Sequence, residues 1–369
     1  MNIGVPHEVM VGEARVALTP MACQVLVDAG HTVYVQRDAG TDSGYTDAEY
    51  SEIGGNLVDD AEQLYQAASL IVKVKQPLES DLRYLRADHV LFSYLHLAAD
   101  IELIHTLSDI GLTAIPFESV SDQGGSLPLL SPMSQVAGRI ATIRGASLLF
   151  RNRGGRGVLL GGIDGAEDGR VVVIGAGVAG SHAAAAAAEL GAQVDVLDLN
   201  QDKLDALKRQ YTSICTHISS AELIEELCLQ ADLVVGAVLV AGRRAPVILK
   251  QSVVSRMNPG SVIVDISIDQ GGCVEGIRTT SSEELCYVDN GVILSAVPNM
   301  PAAVARTSSQ ALSSAILPYV VELAGCSAEA LANFPEHCEE KVQALYRARA
   351  LYRGELVDEV LQQEVDSVG

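Results

Sequence analysis

A chain of 369 residues, 48% of them hydrophobic and 20% charged, has the core material of a soluble α/β protein and the length of two domains. Its formal net charge of −22 argues against nucleic acid and anionic membranes as partners. Neither a basic-then-apolar leader at Met1 nor an 18-residue apolar stretch occurs, so neither a secretory signal nor a membrane span is expected. The seven cysteines are scattered and include no C-x-x-C pair, and the eight histidines are equally dispersed. That is the pattern of thiols in a reducing cytoplasm, and no metal site is expected.

In chain order, Asn2–Val5 reads as a strand and Pro20–Ala29 as a helix stopped by Gly30. His31–Val35 returns as a strand, Ala61–Ala68 as a helix and Ser69–Val74 as a buried strand. Val90–Tyr94 and Thr113–Pro116 continue the sheet, with a helix over Asp100–Asp109 between them. Strands alternating with helices predict a parallel sheet covered on both faces. A long helix over Pro132–Phe150, opened by Ser131 as N-cap, leads to the second domain. The glycine pairs in Gly154–Gly162 read as linker rather than as cofactor contacts.

The second domain opens on Arg170-Val-Val-Val-Ile-Gly-Ala-Gly-Val-Ala-Gly180, a buried strand running straight into Gly175-x-Gly177-x-x-Gly180 and then an alanine-rich helix. This order suits a dinucleotide pyrophosphate. The first glycine makes the tight turn, the second lets backbone approach phosphate, and the third lets helix pack on strand. The helix N-terminus adds unpaired N–H groups and a positive dipole end. A second strand ends at Asp198, 18 residues past Gly180, where a carboxylate accepts ribose hydroxyls and repels a 2′-phosphate. NAD is therefore the expected cofactor.

Further strands are expected at Ile214–His217, Asp232–Ala237 and Ser261–Ile266, with helices at Lys203–Gln210 and Ala221–Gln230. Ligands of such sheets gather at the carboxyl ends of the strands, here Val238-Leu239 and Ser267–Gly272. An apolar helix over Ser308–Ala324 has no place in a finished nucleotide fold and is expected to return to the first domain. Four ionisable residues stand just past strand ends: Arg15, Lys75, His96 and Asp269. Each has the chemistry of a site, and each is equally compatible with solvated or packed structure.

The runs Arg15–Pro20, Lys73–Pro77, Tyr94–Ala98, Leu127–Arg139, Asp265–Gly272 and Asn299–Pro301 resemble, in order and spacing from Met1 to about Leu323, the L-alanine dehydrogenase family. That family includes the NAD-binding part of proton-translocating transhydrogenase. The resemblance implies two Rossmann-like, doubly wound parallel-sheet α/β domains with an interdomain cleft. Residues 1–130 and 305–369 would form a discontinuous substrate and catalytic domain, and residues 131–304 the NAD-binding Rossmann domain. His96 and Asp269 would be catalytic, while Arg15 and Lys75 would hold the substrate. Cofactor contacts would come from Ser134, Gly175, Gly177, Val178, Gly180, Asp198, Lys203 and Ser219. Val238, Leu239, Ile266, Ser267, Ile268, Asp269, Arg278, Val297, Pro298, Asn299 and Met300 would supply the rest.

The implied reaction takes L-alanine, NAD and water to pyruvate, ammonium and NADH, in a cytoplasmic homohexamer. Departures from the family pattern stand at Gln76, Phe117, Gln135, Ser282, His7 and Met10–Gly12, and across Leu294–Pro298. They bear on substrate choice and packing rather than on the four ionisable positions. Rival readings are a dehydrogenase for another small 2-amino acid and a transhydrogenase-like or catalytically silent NAD-binding module.

Overall fold

The computed structural model describes residues 1–239, 244–281, 283–326 and 339–368. It divides into two compact units, Met1–Met133 with Ala302–Gly369, and Ser134–Pro301. Among the described residues no helix is long and apolar enough to cross a membrane.

In the first unit the parallel strands are β1 (Asn2–Val5), β2 (Thr32–Gln36), β3 (Asn56–Val58), β4 (Leu70–Val72), β5 (Val90–Ser93) and β6 (Thr113–Pro116). Their spatial order is β6-β5-β4-β1-β2-β3, so the order reverses between β1 and β4. The strands read as continuous apolar runs because both faces are buried. Leu70 and Val72 enter one core and Ile71 the other, as period-2 geometry requires. A late hairpin, Leu351–Tyr352 and Glu355–Leu356, adds two antiparallel strands beside β6. It turns on Arg353 and Gly354, both at positive φ (49° and 83°), as a type I′ turn demands.

The helix Ala305–Gly325 packs on the first core through Leu312, Ile316, Tyr319, Val320 and Leu323, one helical stripe. Pro318 lies inside it and removes one N–H from the ladder.

The second unit repeats the plan with β7 (Arg170–Ile174), β8 (Gln193–Asp198), β9 (Cys215–Ile218), β10 (Leu233–Gly236), β11 (Val262–Asp265), β12 (Tyr287–Asp289) and β13 (Val292–Ser295). The order is β12-β13-β11-β10-β7-β8-β9, parallel except for β12, with the reversal between β7 and β10. Val171 and Val173 enter one core while Val172 and Ile174 enter the other. The β12–β13 hairpin turns on Asn290 and Gly291, at φ 50° and 81°. It was not expected from the apolar pattern.

The alanine run is more than helix-forming material. Ala183–Ala187 are all buried on the helix Val178–Glu189, which lies against the helix Ser131–Leu148. There Thr142 Oγ1 donates to the Ala183 carbonyl at 2.8 Å, and a Cβ on Gly138 would strike the Ala179 carbonyl. Small side chains let the two backbones touch. The glycine-rich loop after Phe150 is tied down at the amino ends of the strands, with Arg156 N donating to Gly260 O at 3.1 Å and Arg156 Nη1 bonded to Asp232 at 2.5 Å. It is structural, and lies at the opposite edge from the carboxyl strand ends.

Candidate active site

In the first unit parallel strands bring their carboxyl ends to one edge, and the loops leaving β1, β4, β5 and β6 carry the polar residues. Arg15 follows β1 and is 3% exposed. Its guanidinium lies on Glu13, with Nε to Oε1 at 2.6 Å and Nη2 to Oε2 at 2.5 Å, a bidentate and fully buried pair. The Arg15 amide also donates to Glu13 at 3.0 Å, and Nη1 reaches the Met133 sulfur at 3.0 Å. Rotamer and direction of the guanidinium are thereby set.

Lys75 follows β4. The Val74 and Lys75 amides both donate to the Glu8 carboxylate, at 2.6 and 3.4 Å. Glu8 is buried, and burial raises its pKa against the opposing pull of Lys73. Lys73 Nζ stands 3.6 Å from Glu8 and 3.1 Å from Asp81, with no exposure at all. This buried cluster fixes the strand end from which Lys75 departs.

His96 follows β5 at φ 51°, a left-handed conformation that a non-glycine residue holds only when its surroundings impose it. Glu118, after β6, imposes it: the His96 amide donates to its carboxylate at 2.6 Å and the Leu95 amide at 3.2 Å. The imidazole stacks on Tyr94, centroids 6.1 Å apart, and the Tyr94 hydroxyl is anchored on the Leu129 carbonyl at 2.6 Å. His96 keeps solvent access. Even so, the protein around it, followed by the cations of Lys75 and Arg15, lowers its pKa from 6.5 to about 4. At neutral pH it is an uncharged imidazole, able to accept a proton.

In the second unit the expected cofactor residues fall along the carboxyl edge of the sheet, around the β7/β10 reversal. Gly175 has φ 106°, closed to other residues, and a Cβ on Gly180 would collide with the Gly175 carbonyl oxygen. At Gly177 a Cβ would meet nothing within 4 Å, so the backbone there is open to an approaching group. Gly177 is the N-cap of the helix Val178–Glu189, whose first turn carries no acid. These features suit an anionic pyrophosphate.

Asp198, half-buried, accepts the Ala176 amide at 2.7 Å and the Asn200 amide at 2.8 Å. One carboxylate thus ties the glycine turn to the end of β8. Ser219 N donates to the Asp198 carbonyl, and Lys203, in the first turn of the helix Gln201–Gln210, donates its amide to the Asn200 cap. Beyond β10, Val238 N donates to Ser267 Oγ at 2.9 Å, and Leu239 is exposed.

The 3₁₀ turn Ile266–Gln270 starts at Asp265, fully buried, which accepts from the Ser267 and Cys273 amides at 2.8 Å each. Asp269 is exposed at the end of that turn and accepts the Asn299 amide at 3.1 Å. Asn299 has φ 53°, and Val297 and Pro298 precede it past β13. Arg278 lies over the Tyr287 ring, 4.0 Å from its centroid. Ser134 stands in the first turn of the helix Ser131–Leu148, partly exposed. Met300 differs from its expected neighbours, being buried in the core as the apolar start of a 3₁₀ turn. Ser282 lies outside the described residues.

Cys273 is buried, and burial with the Asp265 carboxylate beside it pushes its thiol well above the ordinary range, which leaves it unreactive. Among the described residues no group of three or more His, Cys, Asp or Glu side chains could hold a metal ion. Sequence reasoning missed Glu8, Glu13 and Asp265, all buried, and the half-buried Glu118, the carboxylates that hold the expected residues in place.

Two family models cover the chain: the alanine dehydrogenase/PNT N-terminal domain over residues 4–137 and the C-terminal domain over residues 141–356. An alanine dehydrogenase of Mycobacterium tuberculosis is 47% identical over 325 residues, 88% of each chain. A solved structure titled L-alanine dehydrogenase superposes with a TM-score of 0.93 at 43% identity, covering all of both chains. A transhydrogenase structure from Sinorhizobium meliloti gives 0.82 at 24% identity, covering 98% of this chain and 100% of that one, a likeness of fold.

Proposed function

The chain belongs to the alanine dehydrogenase/PNT family, and from that premise we propose that it oxidatively deaminates L-alanine to pyruvate and ammonium with NAD, and runs the reverse reductive amination. One observation carries the reading: Arg15, Lys75 and a neutral His96 stand on the loops of one strand edge, each held by a buried or half-buried carboxylate.

Arg15 pairs with the substrate carboxylate, and Lys75 stabilises charge on the substrate oxygen. NAD, when bound, supplies the hydride acceptor for the substrate Cα. His96 takes a proton from the water that adds to the resulting imine and delivers it to the departing amine. Asp269 orients water or substrate. The glycine turn, Asp198, Lys203, Ser219, Ser134, Val238 and Leu239 hold the dinucleotide, together with Ile266–Asp269, Arg278 and Val297–Asn299. Met300 supports that surface from the core. The homohexamer and the cytoplasmic setting belong to the same reading.

NADH formation measured against a panel of small L-amino acids tests it. L-Alanine is expected to give the highest kcat/KM. Greater efficiency with another amino acid would reassign the substrate, and no NADH from any of them would favour a transhydrogenase-like or silent module.

Cofactor choice should follow Asp198. A carboxylate about 5 Å from a 2′-phosphate, at an effective dielectric of about 20, opposes it by roughly 3 kcal/mol, more than a hundredfold in favour of NAD. Asp198→Asn keeps an acceptor for the Ala176 amide and removes the charge, so it should narrow the NAD/NADP ratio with the glycine turn intact. Asp198→Ala should lose NAD affinity as well. Equal efficiency of the wild type with both cofactors would end this assignment.

A further inference from the structure

The loop bearing Arg15 is held from both sides by hydroxyl groups that belong to distant parts of the chain. On one side Ser43 Oγ donates to the Ala14 carbonyl at 2.8 Å. On the other, the Val16 amide donates to Ser309 Oγ at 2.9 Å. The two hydroxyls are 2.8 Å apart. With Ser43 donating to Ala14, Ser309 is left to donate to Ser43, and every hydrogen has an acceptor. The chain of bonds runs from Val16 N–H to Ser309 to Ser43 to the Ala14 carbonyl, so it brackets the two peptide groups on either side of Arg15.

Both serines are almost without exposure, at 1% and 0%. Ser309 lies on the helix Ala305–Gly325, and Ser43 on the 3₁₀ turn Thr41–Ser43. Arg306 of the same helix donates to the Gly44 carbonyl at 2.6 Å and lies over the Tyr45 ring, which pins that turn to the helix. Buried hydroxyls spent on loop backbone do little for the core that this helix otherwise serves. They do set where the Arg15 backbone sits, while Glu13 sets where its side chain points.

We propose that Ser309 and Ser43 are positioning residues for substrate-carboxylate binding, acting through the backbone of Arg15. The proposal rests on Arg15 holding the substrate carboxylate.

The test measures KM for L-alanine and for pyruvate, kcat, NADH affinity by fluorescence and melting temperature. Ser309→Ala is expected to raise both KM values roughly three- to tenfold, the worth of one neutral hydrogen bond, with kcat and NADH affinity little changed. Ser43→Ala should do the same, and the double variant should lose no more than the larger single loss, because the hydroxyls act as one chain. Ser309→Thr retains the hydroxyl and should restore both KM values.

Ser313→Ala is the control. Ser313 Oγ accepts the Thr19 amide at 3.0 Å, an equally buried bond one helical turn on that does not bracket Arg15. It should lower the melting temperature comparably and leave KM alone. KM values unchanged in Ser309→Ala and Ser43→Ala, or raised as much by Ser313→Ala, would overturn the proposal, provided Arg15→Ala raises them. If Arg15→Ala leaves both KM values unchanged, the assignment of Arg15 itself has failed.

Discussion

His96→Ala is expected to turn over roughly 10²–10⁴-fold more slowly than the wild type, the range for loss of a general acid/base, while binding NADH as before. The premise is an uncharged imidazole whose backbone Glu118 holds in place. Position 96 is also left-handed, at φ 51°, which alanine tolerates poorly and asparagine well. His96→Asn is therefore the better-folded variant and should show the same loss of turnover with little change in melting temperature. Asp269→Ala should also lose heavily, and the double variant should lose far less than the product of the single losses, because groups serving one step are not additive. If His96 were packing only, both substitutions would lower the melting temperature and leave turnover per folded molecule near wild type. Near-wild-type turnover in folded His96→Asn would end the catalytic assignment.

The same histidine sets a pH expectation. Its pKa is lowered from 6.5 to about 4 by the surrounding protein and then by Lys75 and Arg15. The base form therefore persists in the free enzyme well below pH 6.5, and the acid limb of kcat/KM due to His96 should lie below that value. Lys75→Met removes one of the two cations and should move the imidazole titration upward, as followed by NMR. For stability the sign is the usual one for a depressed histidine: the unfolded chain binds the extra proton between pH 6.5 and about 4, so folding loses stability as pH falls through that window.

Val171–Ile174 and Leu70–Val72 were legible because both faces are buried and they read as unbroken apolar runs, whereas Val292–Ser295, equally buried, was not expected. The two hairpins were not, since Tyr287–Asp289 and the short edge pair near the C-terminus are half-exposed and lack such a run. Asn290-Gly291 was the available signal, a dipeptide suited to a type I′ turn. Polar residues just past strand ends could be picked out, because a doubly wound sheet collects ligands there. Their partners could not. Glu8, Glu13 and Glu118 look like ordinary surface acids in a chain of net charge −22, and only the folded chain shows each one turned onto a backbone amide or a guanidinium. Asp198 was visible as a terminal acid, whereas its grip on the Ala176 amide depends on how the glycine turn closes.

Arg15→Ala should weaken substrate binding and folding at once, and the two effects can be separated. Losing a charge-assisted contact to the substrate carboxylate should cost roughly 1.5–3 kcal/mol, about tenfold to a hundredfold in KM for L-alanine and pyruvate. NADH affinity should hardly change. The folding cost has another source: the Arg15 and Glu13 side chains are 2% and 0% exposed, so removing one leaves the other buried without its counter-charge. Breaking such a pair costs about 3–5 kcal/mol, whereas removing both partners costs far less. Arg15→Ala/Glu13→Ala should therefore recover much of the denaturation midpoint lost in the single variant and none of the substrate affinity. Recovery of KM along with stability would mean that Arg15 matters only through the fold. A fall in NADH affinity matching the rise in KM would mean that it serves the cofactor instead.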